Sequence, residues 1–128
     1  MPISSLGGSS GGSNTGVEEL LGKTLFTEFN EATISSAIES TLVSYTVPSG
    51  KKGRLKHVQA TGEADAIFRL YIDTDQKTEA RNVWTERNFT TTLEIEAIAG
   101  ETIILKVEHT EPSSKQYQGT LSGYLLTA

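Results

Sequence analysis

Two histidines, His57 and His109, have the widest chemical repertoire in this 128-residue chain. Imidazole can serve as metal ligand, general base or proton shuttle. A metal site built on them needs further ligands at a defined spacing, and neither a His-x-His nor a Glu-x-x-His pattern occurs. Isolated histidines on strands, at a surface or sheet edge, are the expectation. Nucleophilic catalysis asks for a serine on a strand-to-helix elbow, and none is predicted; Leu121-Ser122-Gly123 reads as ordinary strand. Asp73 and Asp75 flank one hairpin, and Glu63 and Asp65 flank a second turn. Their oxygens suit calcium in kind, but the full calcium-loop motif is missing and turn formation accounts for Asp at a hairpin. Glu94 and Glu96 share one strand face, whereas glycoside hydrolysis sets two carboxylates across a cleft. Gly7-Gly8 and Gly11-Gly12 lack the lysine and the following helix of a phosphate loop. The one basic cluster is Lys51, Lys52, Arg54 and Lys56, on a turn and the strand after it. It reads first as a solvated turn, with no aromatic platform for stacking. Lys51, Lys52 and Arg54 are nevertheless the candidates for contact with an acidic partner surface. No catalytic residue, cofactor or metal is expected, and the chain reads as a non-enzyme.

Composition narrows the partners. There are 11 basic and 16 acidic residues, a formal charge of −5, and the isoelectric point is near 5.0. Phosphate neutralisation needs surplus lysine and arginine, so nucleic-acid binding is not expected. Apolar runs are too short for a membrane helix, and Met1-Pro2-Ile3-Ser4 has no basic region or apolar core, so no secretory signal is expected. Cysteine is absent, which rules out disulfides and thiolate ligands. The first 16 residues hold five Gly, five Ser and no charge. Such a segment has too little apolar surface to offset backbone ordering and reads as a flexible coil. Residues 1–22 are therefore assigned to an arm and linker, with a short helical turn at 17–22, and residues 23–128 to one domain. Pro2, Ile3 and Leu6 form the apolar end of the arm and are candidates for contact with a neighbouring subunit.

From Lys23 onward the pattern has period two. Runs at 24–29, 41–47, 54–61, 66–72, 78–84, 89–98, 103–108 and 117–126 read as eight strands, and a bulge is expected within 54–61. Pro48-Ser49-Gly50 and Ala99-Gly100-Glu101 mark tight connections. The spacing predicts an all-β, antiparallel β-sandwich of the jelly-roll kind, with an immunoglobulin-like sandwich as nearest rival. Leu25, Phe26 and Phe29 fit either a core or an interface.

Four stretches carry a resemblance: Tyr45-Thr-Val-Pro-Ser-Gly-Lys51, Ala64-Asp-Ala-Ile-Phe-Arg-Leu-Tyr-Ile-Asp73, Ala99-Gly-Glu-Thr-Ile-Ile-Leu-Lys-Val107 and Tyr117-Gln-Gly-Thr-Leu-Ser-Gly-Tyr124. Over roughly residues 41–126 the chain resembles small β-sandwich structural proteins of tailed bacteriophages. The resemblance implies a capsid decoration or cement protein at the virion surface. Its partner would be the major capsid protein, and it would form a homo-oligomer, with a trimer favoured. A collar, connector or tail accessory protein and a carbohydrate-binding sandwich are the alternatives. Trp84, Tyr71, Tyr117 and Tyr124 are the rings available to a glycan.

Overall fold

The structure is a computed structural model that describes residues 23–73 and 78–127. The arm at 1–22, its helical turn at 17–22, Pro2, Ile3 and Leu6, and the hairpin tip at 74–77 lie outside the described residues. Six strands follow one another: β1 (Lys23–Ile34), β2 (Ser40–Thr46), β3 (Lys51–Asp73), β4 (Thr78–Ile98), β5 (Thr102–Glu108) and β6 (Lys115–Thr127). All pairings are antiparallel, in the order β1-β6-β3-β5-β2, with β4 on β3. The all-β antiparallel expectation stands, and the count of eight is corrected to six. The stretches 54–61 and 66–72 are one strand, as are 78–84 and 89–98. Glu63 and Asp65 therefore do not flank a turn. They sit where β3 loses register with β4, between Thr61 and Ala66, and changes partner from β6 to β5. Polar residues interrupt the alternation there without ending the strand.

The sheet is made of four long antiparallel tracks: β1 continuing as β2, β6 read back into β5, β3, and β4. Each track crosses a common waist, at residues 35–39, 109–114, 62–65 and Arg87 respectively. There the sheet doubles back. Phe26 in β1 and Tyr45 in β2 lie on one track, yet their rings stack with centroids 4.3 Å apart. A Cβ added to Gly119 of β6 would strike Leu42 and Val43 of β2, so those two strands face each other across the core. Asn30 Nδ2 donates to the Leu42 carbonyl at 2.8 Å, tying β1 to β2 along the rim they share.

Alternation selects the inner face. Along β6, Tyr117, Gly119, Leu121, Gly123 and Leu125 are buried while the residues between them are less so, as a pleated strand with one covered face requires. Phe68, Leu70 and Ile72 of β3 join Ile103, Leu105 and Val107 of β5 and Leu121 in one core cluster. Phe26 belongs to it, whereas Leu25 and Phe29 point outward. The expected bulge is present between Leu55 and His57.

His109 corrects the expectation of a surface histidine, for it is buried. Its Nε2 lies 2.8 Å from the Ile34 carbonyl, and its Nδ1 accepts from the Glu111 N–H at 3.1 Å. The backbone carbonyl of His109 in turn accepts from the Ala37 N–H at 2.7 Å. The two waist loops of the β1–β2 and β5–β6 tracks are thus bolted together by one residue.

Candidate functional site

Among the described residues, the outer face of the half-sheet β1-β6-β3-β4 carries exposed large apolar side chains. On β1 the odd-numbered residues point out, which exposes Leu25 and Phe29 at 67% and 56%. Across the strands, Leu25 lies opposite Tyr124, Tyr124 opposite Arg54, and Arg54 opposite Glu96. Lys23 Nζ sits 4.7 Å from the centroid of the Tyr124 ring, a cation–π contact that covers one side of it. Further along, Phe29 lies opposite Thr120, Thr120 opposite Gln59, and Gln59 opposite Thr90. The face therefore runs from an apolar rim on β1, through hydroxyl and amide side chains, to a charged ladder on β3 and β4.

The expected basic cluster lies in that ladder. Lys51 opens β3, and Lys52, Arg54 and Lys56 lie along it. Lys52 pairs with Glu96 at 3.2 Å, Arg54 with Glu94 at 2.5 Å, and Lys56 with the other oxygen of Glu94 at 3.3 Å. Hydrogen bonds from Arg54 and Lys56 hold the Glu94 carboxyl below its ordinary value, and the Glu94 bond raises Arg54. Lys52 and Arg54 thus neutralise carboxylates of their own chain. The sequence could not show this, because the partners lie about 40 residues away on β4.

A second charged network occupies the outer face of the other half. Arg69 bonds Glu39 at 2.8 Å and Glu108 at 2.9 Å, and the Tyr71 hydroxyl donates to Glu39 at 2.8 Å. Lys106 lies over the Tyr71 ring. Burial pushes Glu39 up, but the Tyr71 and Arg69 hydrogen bonds outweigh it and leave the carboxyl below its ordinary 4.5. Every charge in this network has a partner within it, so its work is to fasten the 35–39 loop to β3 and β5.

The rings weighed for glycan contact are distributed differently. Tyr117 is fully buried, its hydroxyl donating to the Ala64 carbonyl. Trp84 packs against the core and stacks on Phe89 at 4.5 Å. Tyr71 and Tyr124 are half-buried on opposite outer faces. These four rings do not assemble into one flat platform. His57 is exposed beside a shallow depression of about 380 Å³ lined with Lys56, Thr92, Leu93 and Glu94. Among the described residues, no three His, Cys, Asp or Glu side chains converge as a metal site would require.

No protein-family model matches the sequence, and no curated protein matches it. Among solved structures, PirA is similar at 12% identity over 80% of this chain and 93% of that one. The TM-score is 0.42.

Proposed function

We propose that the chain is a non-enzymatic structural protein of a tailed-phage particle, a decoration or cement protein that stabilises junctions between major capsid protein subunits. In this reading the doubled-back sheet is a two-layer jelly roll, each long track serving as one strand in each layer. The observation that carries the proposal is the pair Leu25 and Phe29, exposed on the strand that leads directly out of the Gly/Ser arm. Covering a side chain of that size is worth roughly 1.5–3 kcal/mol. A shell subunit that covers both would also lie within reach of the arm, since sixteen extended residues span roughly 50 Å. The Thr, Ser and Gln rows beside them offer hydrogen bonds at a polar interface border. The basic residues Lys52 and Arg54 contribute less than the sequence suggests, because their charges are already matched. A glycan reading is not favoured, given how the four aromatic rings are separated.

Copy number per particle, by quantitative mass spectrometry of purified virions from the source, tests the proposal. Copies in proportion to the major shell protein are expected. A copy number matching axial tail symmetry would move the protein to the collar or tail, and absence from particles would end the reading.

A further inference from the structure

We propose that the waist is a proton-released latch: a second proton on the His109 ring frees the 35–39 and 109–114 loops while the strands stay paired. Among the described residues His109 is, with Tyr117, one of two buried titratable side chains, and both of its ring nitrogens are committed. A carbonyl only accepts, so the 2.8 Å contact with the Ile34 carbonyl places the ring proton on Nε2. Nδ1 is then the bare nitrogen, and it accepts the Glu111 N–H at 3.1 Å. A proton arriving at Nδ1 would set donor against donor and leave a charge in the core, where an unpaired charge is costly. The folded waist therefore holds the neutral ring, and the ring takes its second proton only by leaving Glu111.

The charges around the ring do not supply the missing acceptor, since both of its hydrogen bonds go to backbone. Tyr117 of β6 has its ring centroid 5.8 Å from the imidazole and gives its hydroxyl proton to the Ala64 carbonyl. Glu111 on the same loop, and Glu63 and Asp65 at the β3 waist, are the carboxylates that act on Tyr117. Glu63 accepts the Gln116 N–H, Asp65 is largely exposed and 4.0 Å from Arg87, and solvent screens both. On the remaining flanks, Glu39 and Glu108 are bonded to Arg69, Lys115 opens β6, and β1 ends on the uncharged Ala32-Thr33-Ile34. Release spreads because the His109 carbonyl accepts the Ala37 N–H at 2.7 Å, and Ala37, at a φ of 62°, holds a conformation that L-residues resist. A ring held neutral when latched and charged when free adds stability at neutral pH and loses it as pH falls through the imidazole range, about 8 to 5. The inference is independent of the virion reading.

Amide hydrogen exchange on the full chain tests the latch, read as protection relative to the intrinsic rate at each pH. Protection of the Ala37 N–H should fall by up to about ten-fold per pH unit between about pH 7 and 5, one proton being taken up per opening. Amides of β3 and β5 should hold their protection over that range. His109→Gln keeps a donor for the Ile34 carbonyl and has no proton to gain, so its Ala37 protection should stay level. His57→Gln should follow the parent. Nitrogen chemical shifts of the parent's His109 ring should show the Nε2–H tautomer for as long as Ala37 is protected, a readout that needs no variant. The proposal is overturned by a ring protonated on both nitrogens while Ala37 remains protected, or by Ala37 protection that is level in the parent. The same slope in His109→Gln, or loss of protection in β3 and β5 in step with Ala37, would also overturn it.

Discussion

Glu39 is the side chain whose environment makes the clearest demand on solution conditions. Burial disfavours its charge, yet hydrogen bonds from Tyr71 and Arg69 and the charges of Arg69 and Lys106 leave its pKa below 4.5. A carboxyl with a depressed folded value adds stability above the unfolded value and loses it as pH falls through the folded one. Glu39→Gln should therefore be less stable than the parent at neutral pH and should flatten the loss of stability below about pH 4.5, read by urea unfolding across the acid range. An acid limb unchanged in the variant would remove Glu39 as its source. Tyr71 works in the opposite sense. Burial, then its bond to Glu39, raises the phenol above 10.0, so its contribution is present below that pH and is lost as pH rises through the folded value. Gly123 makes a steric demand, because a Cβ there would strike the Arg54 carbonyl on β3. Backbone cannot move aside as a flexible side chain can, so Gly123→Ala should cost about 3 kcal/mol, the upper end for overpacking. Thermal unfolding would measure it.

At the scale of elements, stability depends on keeping the four tracks folded at the waist. His109 joins the Ile34 carbonyl, the Glu111 N–H and, through its own carbonyl, the Ala37 N–H. Ala37 is held at a φ of 62°, a left-handed conformation that L-residues resist, and the bond to His109 keeps it there. His109→Ala strands two backbone groups, at about 1–3 kcal/mol each. Hydrogen exchange should quicken at residues 35–39 and 109–114 while β3 and β5 stay protected, and equal quickening in all strands would mean the bolt acts on the whole sheet. Aromatic contacts reinforce the waist, with Phe68 packed against Phe89 at 5.2 Å and Tyr117 at 5.9 Å.

For the molecule as a whole, the apolar rim and the arm should separate from folding. Leu25→Asp with Phe29→Asp alters only exposed positions and should shift stability by less than about 0.5 kcal/mol. Binding to shells lacking the protein should fall by orders of magnitude, as loss of two buried apolar anchors implies. Deleting residues 1–16 should leave the melting temperature unchanged and weaken attachment to shells. Truncated protein that decorates shells as well as the full chain would finish the role given to the arm.

Much of this architecture was written in local pattern. Alternation at Ile103, Leu105 and Val107 sets strand and inner face without reference to the rest of the chain, because a pleat covers every second side chain. Pro48-Ser49-Gly50 and Ala99-Gly100-Glu101 likewise mark turns, with Gly50 and Gly100 at positive φ. The four-residue interruption at Gly62–Asp65 looked like a chain reversal, since composition cannot distinguish a turn from a strand that changes partner. The same limit applies to the charges. Lys52, Arg54 and Lys56 read as a free basic cluster until pairing brought Glu94 and Glu96 beside them from about 40 residues away. His109 and His57 look alike as letters, and only the fold around the waist buries one and exposes the other. Sequence periodicity determined the strands where alternation is regular and, there, which way their residues face. Long-range pairing decided which charges are spent and which apolar residues remain open, because those depend on neighbours that local sequence does not specify.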